Sequence, residues 1–417
     1  MLDIQKIRDK QADVEQALLK RMDRKSFDLD KILKLDEKRR HLINQAERVR
    51  SEQKKISKSK DSYTDQNKKA KFLKTEIKSF QDELEKVTSQ LKILMLELPN
   101  LPSDDVPAGG KENNQVIGVF GKKIKFNYPF KDHIKLATAL GLIDYQRAVK
   151  MSGSGFWAYV GQGALLEWAL LNYFVDFHRK NNYTFIIPPY LLTENSAYIS
   201  GHLPRFKDDL FWTQDKSCLN ATAEMMLANY HAGEILAETE LPKKYFAFSA
   251  CFRREAGGYG AGERGMVRGH QFNKIELFQI TKPEDSSKAF TELQNIAERL
   301  MHGLELHYRT TLLAAGDASS TMAKTVDIEV WLPSIDGYKE VSSVSSAADF
   351  QARRGNIKYK DSRTKQNELV HTLNASGLAT SRLLPAILEQ FQQADGSIKL
   401  PKVLHKYFGK KVISNGK

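Results

Sequence analysis

Through the first hundred residues, apolar side chains recur in steps of seven. Leu35, Leu42, Val49 and Ile56 form one row; Ile32 and Ala46 occupy the second seam position, which polar Arg39 and Gln53 interrupt. A cleaner array follows, with Ala70, Ile77, Leu84 and Leu91 in one row and Leu73, Phe80, Val87 and Leu94 in the other. Sustained heptads bury a stripe of side chains between two helices, the arrangement of a coiled coil. Between the arrays, residues 57–69 are polar and aperiodic, with Ser59, Asp61, Ser62, Asp65 and Asn67 among them, which predicts a turn. Two helices and one turn make an antiparallel hairpin. A helix of roughly 35 residues is about 50 Å long, so the hairpin is expected to project from a globular body.

The pattern changes where Pro99, Pro102, Pro107, Gly109 and Gly110 break helical structure. Residues 99–114 read as a linker between an N-terminal arm, 1–98, and a second domain, 115–417. In the second domain, 165–177 reads as a strongly apolar helix and 183–187 as a short strand ending at Pro188-Pro189. Further strands are predicted at 244–253 and 270–280 around a glycine-rich loop, then at 326–332, 339–343 and 370–374, with a helix over 378–391. Hairpin-linked strands flanked by helices predict an α+β domain on an antiparallel sheet.

Composition narrows the function. The chain has 417 residues and a formal net charge of +13, which favours a polyanionic partner such as nucleic acid. From 51 to 80 there are nine lysines, no arginine and four acids, so the hairpin tip is a candidate arm for a phosphate backbone, with Lys54, Lys55, Lys68 and Lys71 its candidate contacts. The competing reading is a solvated coiled-coil face. No apolar run reaches the length of a membrane helix, and Met1-Leu2-Asp3-Ile4 lacks the features of a secretory signal. The two cysteines, Cys218 and Cys251, lack disulfide-framework or zinc-site spacing. A cytoplasmic protein without zinc is expected.

The candidate chemistry centres on Cys251-Phe-Arg-Arg-Glu255, a loop containing Gly257, Gly258, Gly260, Gly262 and Gly265, then Arg268-Gly-His-Gln-Phe-Asn-Lys-Ile-Glu276. A P-loop is excluded, because Gly-Lys-Ser/Thr is absent. Arg268, Phe272 and Glu276 are an even number apart, so an unbulged strand points them the same way. Arginines for phosphates and an aromatic for a base suit a nucleotide.

Arg253-Arg254-Glu255, the loop and His270-Gln271-Phe272 together resemble motif 2 of the class II aminoacyl-tRNA synthetases, in the form found in seryl-tRNA synthetases of bacterial type. Residues 183–189 resemble motif 1, Thr222-Ala223-Glu224 the serine-binding loop, and Leu373 to Arg382 motif 3. Glu340-Val341-Ser342-Ser343, followed by residues 349–354, resembles a stretch peculiar to this synthetase, and the N-terminal hairpin resembles its tRNA arm. Ala221 and Val344-Ser345-Ser346 depart from the family pattern.

The resemblance implies a class II catalytic domain behind a helical-hairpin arm, and a homodimer. It implies a serine–tRNA ligase that activates L-serine with ATP and Mg²⁺ and transfers it to tRNA(Ser), and also to tRNA(Sec). Catalysis falls to Arg253, Glu340 and Arg382. Serine is bound by Thr222, Ala223, Glu224, Arg253, Glu276, Asn374 and Ser376. ATP is bound by Arg253, Arg254, Glu255, Arg268, Phe272, Glu340, Val341, Ser342, Ser343 and Arg382, with Glu340 and Ser343 holding Mg²⁺. His270 and Cys251 are expected to be structural. Two alternatives stand beside this reading: a synthetase paralogue that loads an amino acid onto a carrier protein, and a non-catalytic coiled-coil RNA-binding protein.

Overall fold

A computed structural model describes residues 1–56, 63–256 and 265–414, with 63–67 described by backbone alone. Residues 57–62 of the expected turn, and Gly257, Gly258, Gly260 and Gly262 of the expected loop, lie outside the described residues. The chain forms two compact units, Met1–Leu101 and Pro102–Lys417.

The first unit opens with two short helices, α1 (Ile4–Asp9) and α2 (Gln11–Leu19), which the heptads do not announce. Asp3 caps α1 by accepting from the Gln5 amide. The long helices are α3 (Leu29–Ile56) and α4 (Tyr63–Glu97). Their seam is the heptad stripe: Ile32, Leu42 and Ala46 of α3 and Leu73, Ile77, Val87 and Leu91 of α4 are buried, and Lys38 pairs with Glu83 at 2.7 Å. The expected turn is too long at its C-terminal end. Residues 63–69 are helical, because Gln66, Lys68 and Lys69 are good helix formers and a helix needs no apolar seam to form there.

Asp36 is fully buried on α3. Its oxygens receive Arg39 at 2.8 Å, Arg40 at 3.1 Å and Arg8 of α1 at 3.2 Å. Three arginines offset the desolvation of one carboxylate and fasten α1 to α3.

The second unit is built, among the described residues, on an eight-stranded sheet. In chain order its strands are β1 (Gln115–Phe120), β2 (Thr184–Ile186), β3 (Lys243–Phe252), β4 (Gln271–Thr281), β5 (Tyr308–Leu312), β6 (Lys324–Leu332), β7 (Gly337–Ala348) and β8 (His371–Ala379). They lie in the order β1-β5-β6-β7-β8-β4-β3-β2 and pair antiparallel, except β2, which runs parallel to β3. Helices α5 (Gln162–Lys180) and α6 (Thr380–Phe391) bury Leu166, Leu170, Phe174, Leu383, Leu384 and Ile387 in the core they share with the sheet.

Much of the expected linker belongs to this unit. The Ser103 amide donates to Ala323 O, Ala315 N to Pro107 O and Gly316 N to Gly109 O, while Asn114 bonds both Asp317 and the Ala314 amide. Proline and glycine end the helix here, but the released backbone polar groups are satisfied on residues 314–323.

Candidate active site

Two irregularities shape the cleft on the sheet. Where β7 meets β6, Ile328 faces Ser342 but Glu329 faces Glu340, so Val341 is an extra residue. That bulge allows Glu340 and Ser343, three apart, to line one cavity, although a regular strand would send them to opposite faces. A second register shift falls between Ser376 and Ala379 of β8, where Leu378 adopts φ +109°, a strained conformation for a branched side chain.

The cleft has three lobes that share residues. One, of about 340 Å³, is lined by Thr222, Glu224, Arg253, Lys274, Glu276, Asn374 and Ser376. A narrow one adds Phe272 and Arg382 to Arg253, Glu255 and Arg268, which line the first lobe as well. The third, of about 410 Å³, is lined by Asp317, Asp327, Glu329, Glu340, Ser343 and Arg382.

Arg253 follows directly after β3. Its Nε donates to Ala221 O at 3.1 Å, and its guanidinium lies 5.2 Å from the Phe272 ring centroid. Its amide donates to His270 O, and His270 Nδ1 donates back to Arg253 O at 2.9 Å, a structural role for the histidine. Glu255 adopts φ +52° and pairs with Arg268 at 2.6 Å. Arg382 bonds Val267 O and Glu340 O, and pairs with the Glu340 carboxylate at 3.3 Å.

The first lobe is a charge network. Lys274 Nζ lies 2.5 Å from Glu276 Oε2 and 2.6 Å from Thr222 Oγ1. Asn374 Nδ2 donates to Glu276 Oε1 at 3.0 Å and reaches Glu224 Oε2 at 3.4 Å. Gln351 Nε2 donates to Glu224 Oε1 at 2.7 Å, and is itself anchored by Ser200 O and the Thr372 hydroxyl. Burial, with Glu276 nearby, pushes the Glu224 carboxyl up to about 7. Burial, then the charges of Arg253, Lys274 and Arg354, hold His202 down to about 3, so this imidazole stays neutral.

Several expected residues stand elsewhere. Arg254 bonds Leu210 O, packs on Phe211 and is not among the residues that line the lobes. Neighbours at a strand end point in opposite directions, and Arg253 is the one turned inward. Ala223 is buried, and the Ser342 hydroxyl donates to Ser376 O at 2.6 Å. Val341 is buried at the bulge, yet it does line the narrow lobe. Cys251 is buried, and burial pushes its thiol up, as suits an inert residue. Conversely, Lys274, His202 and Asp327 line the cleft, and Gln351 supports Glu224 from behind it, without a motif to single them out. Lys274 shares the parity of Phe272 and Glu276, and that signal is readable in the sequence.

Among the described residues, no group of three or more His, Cys, Asp or Glu side chains could hold a metal ion. Glu340 and Ser343 offer a carboxylate and a hydroxyl beside Asp327. Among the described residues, one oxygen of Asp327 is buried without a hydrogen-bond partner, and its carboxyl is raised by burial and by Glu340. Such hard oxygens suit a cation that keeps phosphate or water ligands.

The chain is similar to known proteins over its whole length. Residues 1–102 match the model of the seryl-tRNA synthetase N-terminal domain, and residues 206–391 that of the tRNA synthetase class II core domain (G, H, P, S and T). Serine–tRNA ligase 2 of Clostridium acetobutylicum is 50% identical, covering 98% of this chain and 99% of its own. The serine–tRNA ligase of Petrotoga mobilis is 44% identical over 99% and 100%. The seryl-tRNA synthetase of Pyrococcus horikoshii, solved with ATP, superposes with a TM-score of 0.93 at 33% identity over all of both chains. The cytoplasmic enzyme of Naegleria fowleri, solved with AMP, gives 0.88 at 28% identity, over all of this chain and 99% of that one.

Proposed function

The chain belongs to the seryl-tRNA synthetases, and we propose that its three-lobed cleft is where L-serine and ATP are joined as seryl-adenylate before serine passes to tRNA. The observation that carries this reading is the first lobe. Glu276 pairs with Lys274, and a second carboxylate, Glu224, lies in the same lining under the charges of Lys274 and Arg253. A zwitterionic amino acid needs an anion for its ammonium, a cation for its carboxylate and a reader for its side chain. Glu224 takes the ammonium, Arg253 the carboxylate, and Glu276 accepts the hydroxyl with Asn374 and Ser376 closing the pocket. Alanine leaves Glu276 without that donor, and sites of this kind reject the analogue lacking the hydroxyl by up to ~10⁴-fold or more.

ATP occupies the other lobes, with Phe272 on the base, Glu255 at its edge, and Arg268 and Arg382 on phosphates. Glu340 and Ser343 would hold Mg²⁺, which when bound neutralises phosphate charge. No side chain acts as a nucleophile. The serine carboxylate attacks the α-phosphorus and pyrophosphate leaves, so Arg253 works by positioning and charge stabilisation. Serine-dependent ATP–pyrophosphate exchange tests this. Exchange with serine but not alanine supports it, and its absence rejects it.

The titration of Glu224 makes serine binding pH-dependent. Below about 7 its carboxyl holds a proton that must leave before an ammonium can pair with it, so binding weakens as pH falls. KM for serine is expected to rise several-fold from pH 8 to pH 6 while KM for ATP stays nearly level. A flat serine profile contradicts the assignment.

A homodimer completes the proposal. Leu165 and Trp168 of α5, and Ile187 just beyond β2, are 58%, 58% and 73% exposed, an apolar face without cover in one chain. A two-fold dimer buries it on both subunits. Light scattering at micromolar concentration is expected to report twice the chain mass, and a fully active monomer contradicts it. The arm, reading shape rather than anticodon, serves tRNA(Ser) and extends to tRNA(Sec). No described helix is long and apolar enough to cross a membrane, and we assign the reaction to the cytoplasm.

A further inference from the structure

Glu167 lines none of the three lobes, yet it lies buried at the junction of three elements. On α5 it is only 3% exposed. Its Oε1 accepts from Asn273 Nδ2 at 2.8 Å and from Thr380 Oγ1 at 2.6 Å, and the same hydroxyl lies 3.1 Å from Asn273 O. One carboxylate oxygen thus ties α5 to β4 and to the first residue of α6.

What flanks those partners gives the contact its meaning. Asn273 sits between Phe272 and Lys274, on the opposite face of β4 from both, so Glu167 grips the back of the strand whose front lines the cleft. Thr380 opens α6, and Arg382 follows within the same turn. Fixing Thr380 sets the height and rotation at which that turn presents Arg382. Burial pushes the Glu167 carboxyl up to about 7 against the pull of Thr380, Asn273 and Tyr159, all of them uncharged groups.

We propose that Glu167 is a positioning residue for ATP. By holding β4 and α6 in register against α5, it sets the distance between Phe272, which stacks on the base, and Arg382, which reaches the terminal phosphate. The proposal rests on the reading of those two residues as ATP contacts. The serine pocket shares β4 through Lys274 and Glu276, but it has braces of its own in the Lys274–Thr222, Asn374–Glu276 and Gln351–Glu224 contacts. Removing the Glu167 anchor should therefore divide the two substrates.

The test uses the full chain and measures pyrophosphate exchange and thermal unfolding for Glu167→Ala, Glu167→Gln and Thr380→Val. Glu167→Ala is expected to raise KM for ATP about tenfold, since a misplacement of one ångström costs up to about 100-fold, with KM for serine within about twofold of wild type. Glu167→Gln keeps an acceptor oxygen of the same reach and should restore KM for ATP. Thr380→Val should reproduce the ATP defect. Unchanged KM for ATP in a folded Glu167→Ala protein overturns the proposal. So does a parallel rise for both substrates that Gln does not rescue, the mark of a merely structural residue. Should Glu167→Ala fail to fold, Thr380→Val decides alone, and a wild-type KM for ATP overturns the idea. Phe272→Ala and Arg382→Ala run alongside. If neither raises KM for ATP, the ATP assignment has failed, and that failure is distinct from one in which they respond and Glu167→Ala does not.

Discussion

Arg253→Ala is expected to lose serine-dependent pyrophosphate exchange by about 10³-fold or more while the protein stays folded. The side chain belongs to the cleft rather than the core: its Nε is held at Ala221 O, and its guanidinium lies over the Phe272 ring. It lines both of the first two lobes, where the serine carboxylate and the α-phosphate are proposed to meet. On the proposed reading, a guanidinium held there bridges both reactants and opposes the charge that builds at phosphorus. Arg253→Lys should fail nearly as badly, because an ammonium cannot make a planar two-pronged contact. Circular dichroism establishes that each variant is folded, and exchange kinetics measure the loss. Near-normal exchange by folded Arg253→Ala would remove this residue from the mechanism.

The second large effect separates the two units. Deleting the outer hairpin should leave pyrophosphate exchange within a few-fold of wild type and reduce tRNA charging by two orders of magnitude or more, roughly the effect of removing several phosphate contacts. The structure indicates where to cut. Lys38 opposite Glu83 gives the register of α3 against α4, so removing 42–79 and joining the ends through a short glycine linker shortens both helices at one level. That cut leaves Asp36 and its three arginines in place, whereas one beginning at residue 36 would release α1. A finer version replaces Lys54, Lys55, Lys68 and Lys71 with alanine. Tip lysines without arginine suit backbone attraction, so tRNA binding should weaken. Its salt dependence should flatten as well, the logarithmic slope falling by about 0.9 for each phosphate that is no longer neutralised. A solvated coiled-coil face would tolerate all four changes. Normal charging by the deletion variant, or equal loss of exchange and charging, contradicts the arm as the tRNA-specific element.

What can be read from the sequence follows periodicity. A seam of period seven has one structural meaning, and the rows from Ile32 to Leu94 form the interface of α3 and α4. Parity along β4 puts Phe272 and Glu276 on one face and carries Lys274 with them, although a lysine in a strand gives no sign of being buried. What stays hidden depends on partners distant in the chain. The bulge at Val341 exists only against β6, and it decides that Ser343 rather than Ser342 joins Glu340. Gln351 gains its role from Ser200, Thr372 and Glu224, and Asp36 from an arginine on another helix. Such contacts leave no periodic trace. The linker differs from expectation for the same reason, since proline and glycine show where a helix stops and not where the freed backbone bonds.

Aminoacylation with labelled serine tests the assignment as a serine–tRNA ligase most directly. Purified protein is incubated with ATP, Mg²⁺ and total tRNA, and acid-precipitable serine is counted beside parallel reactions with alanine and threonine. ATP-dependent charging with serine alone is expected. Exchange that proceeds with serine while no tRNA is charged, or charging with alanine as readily as with serine, would contradict the assignment.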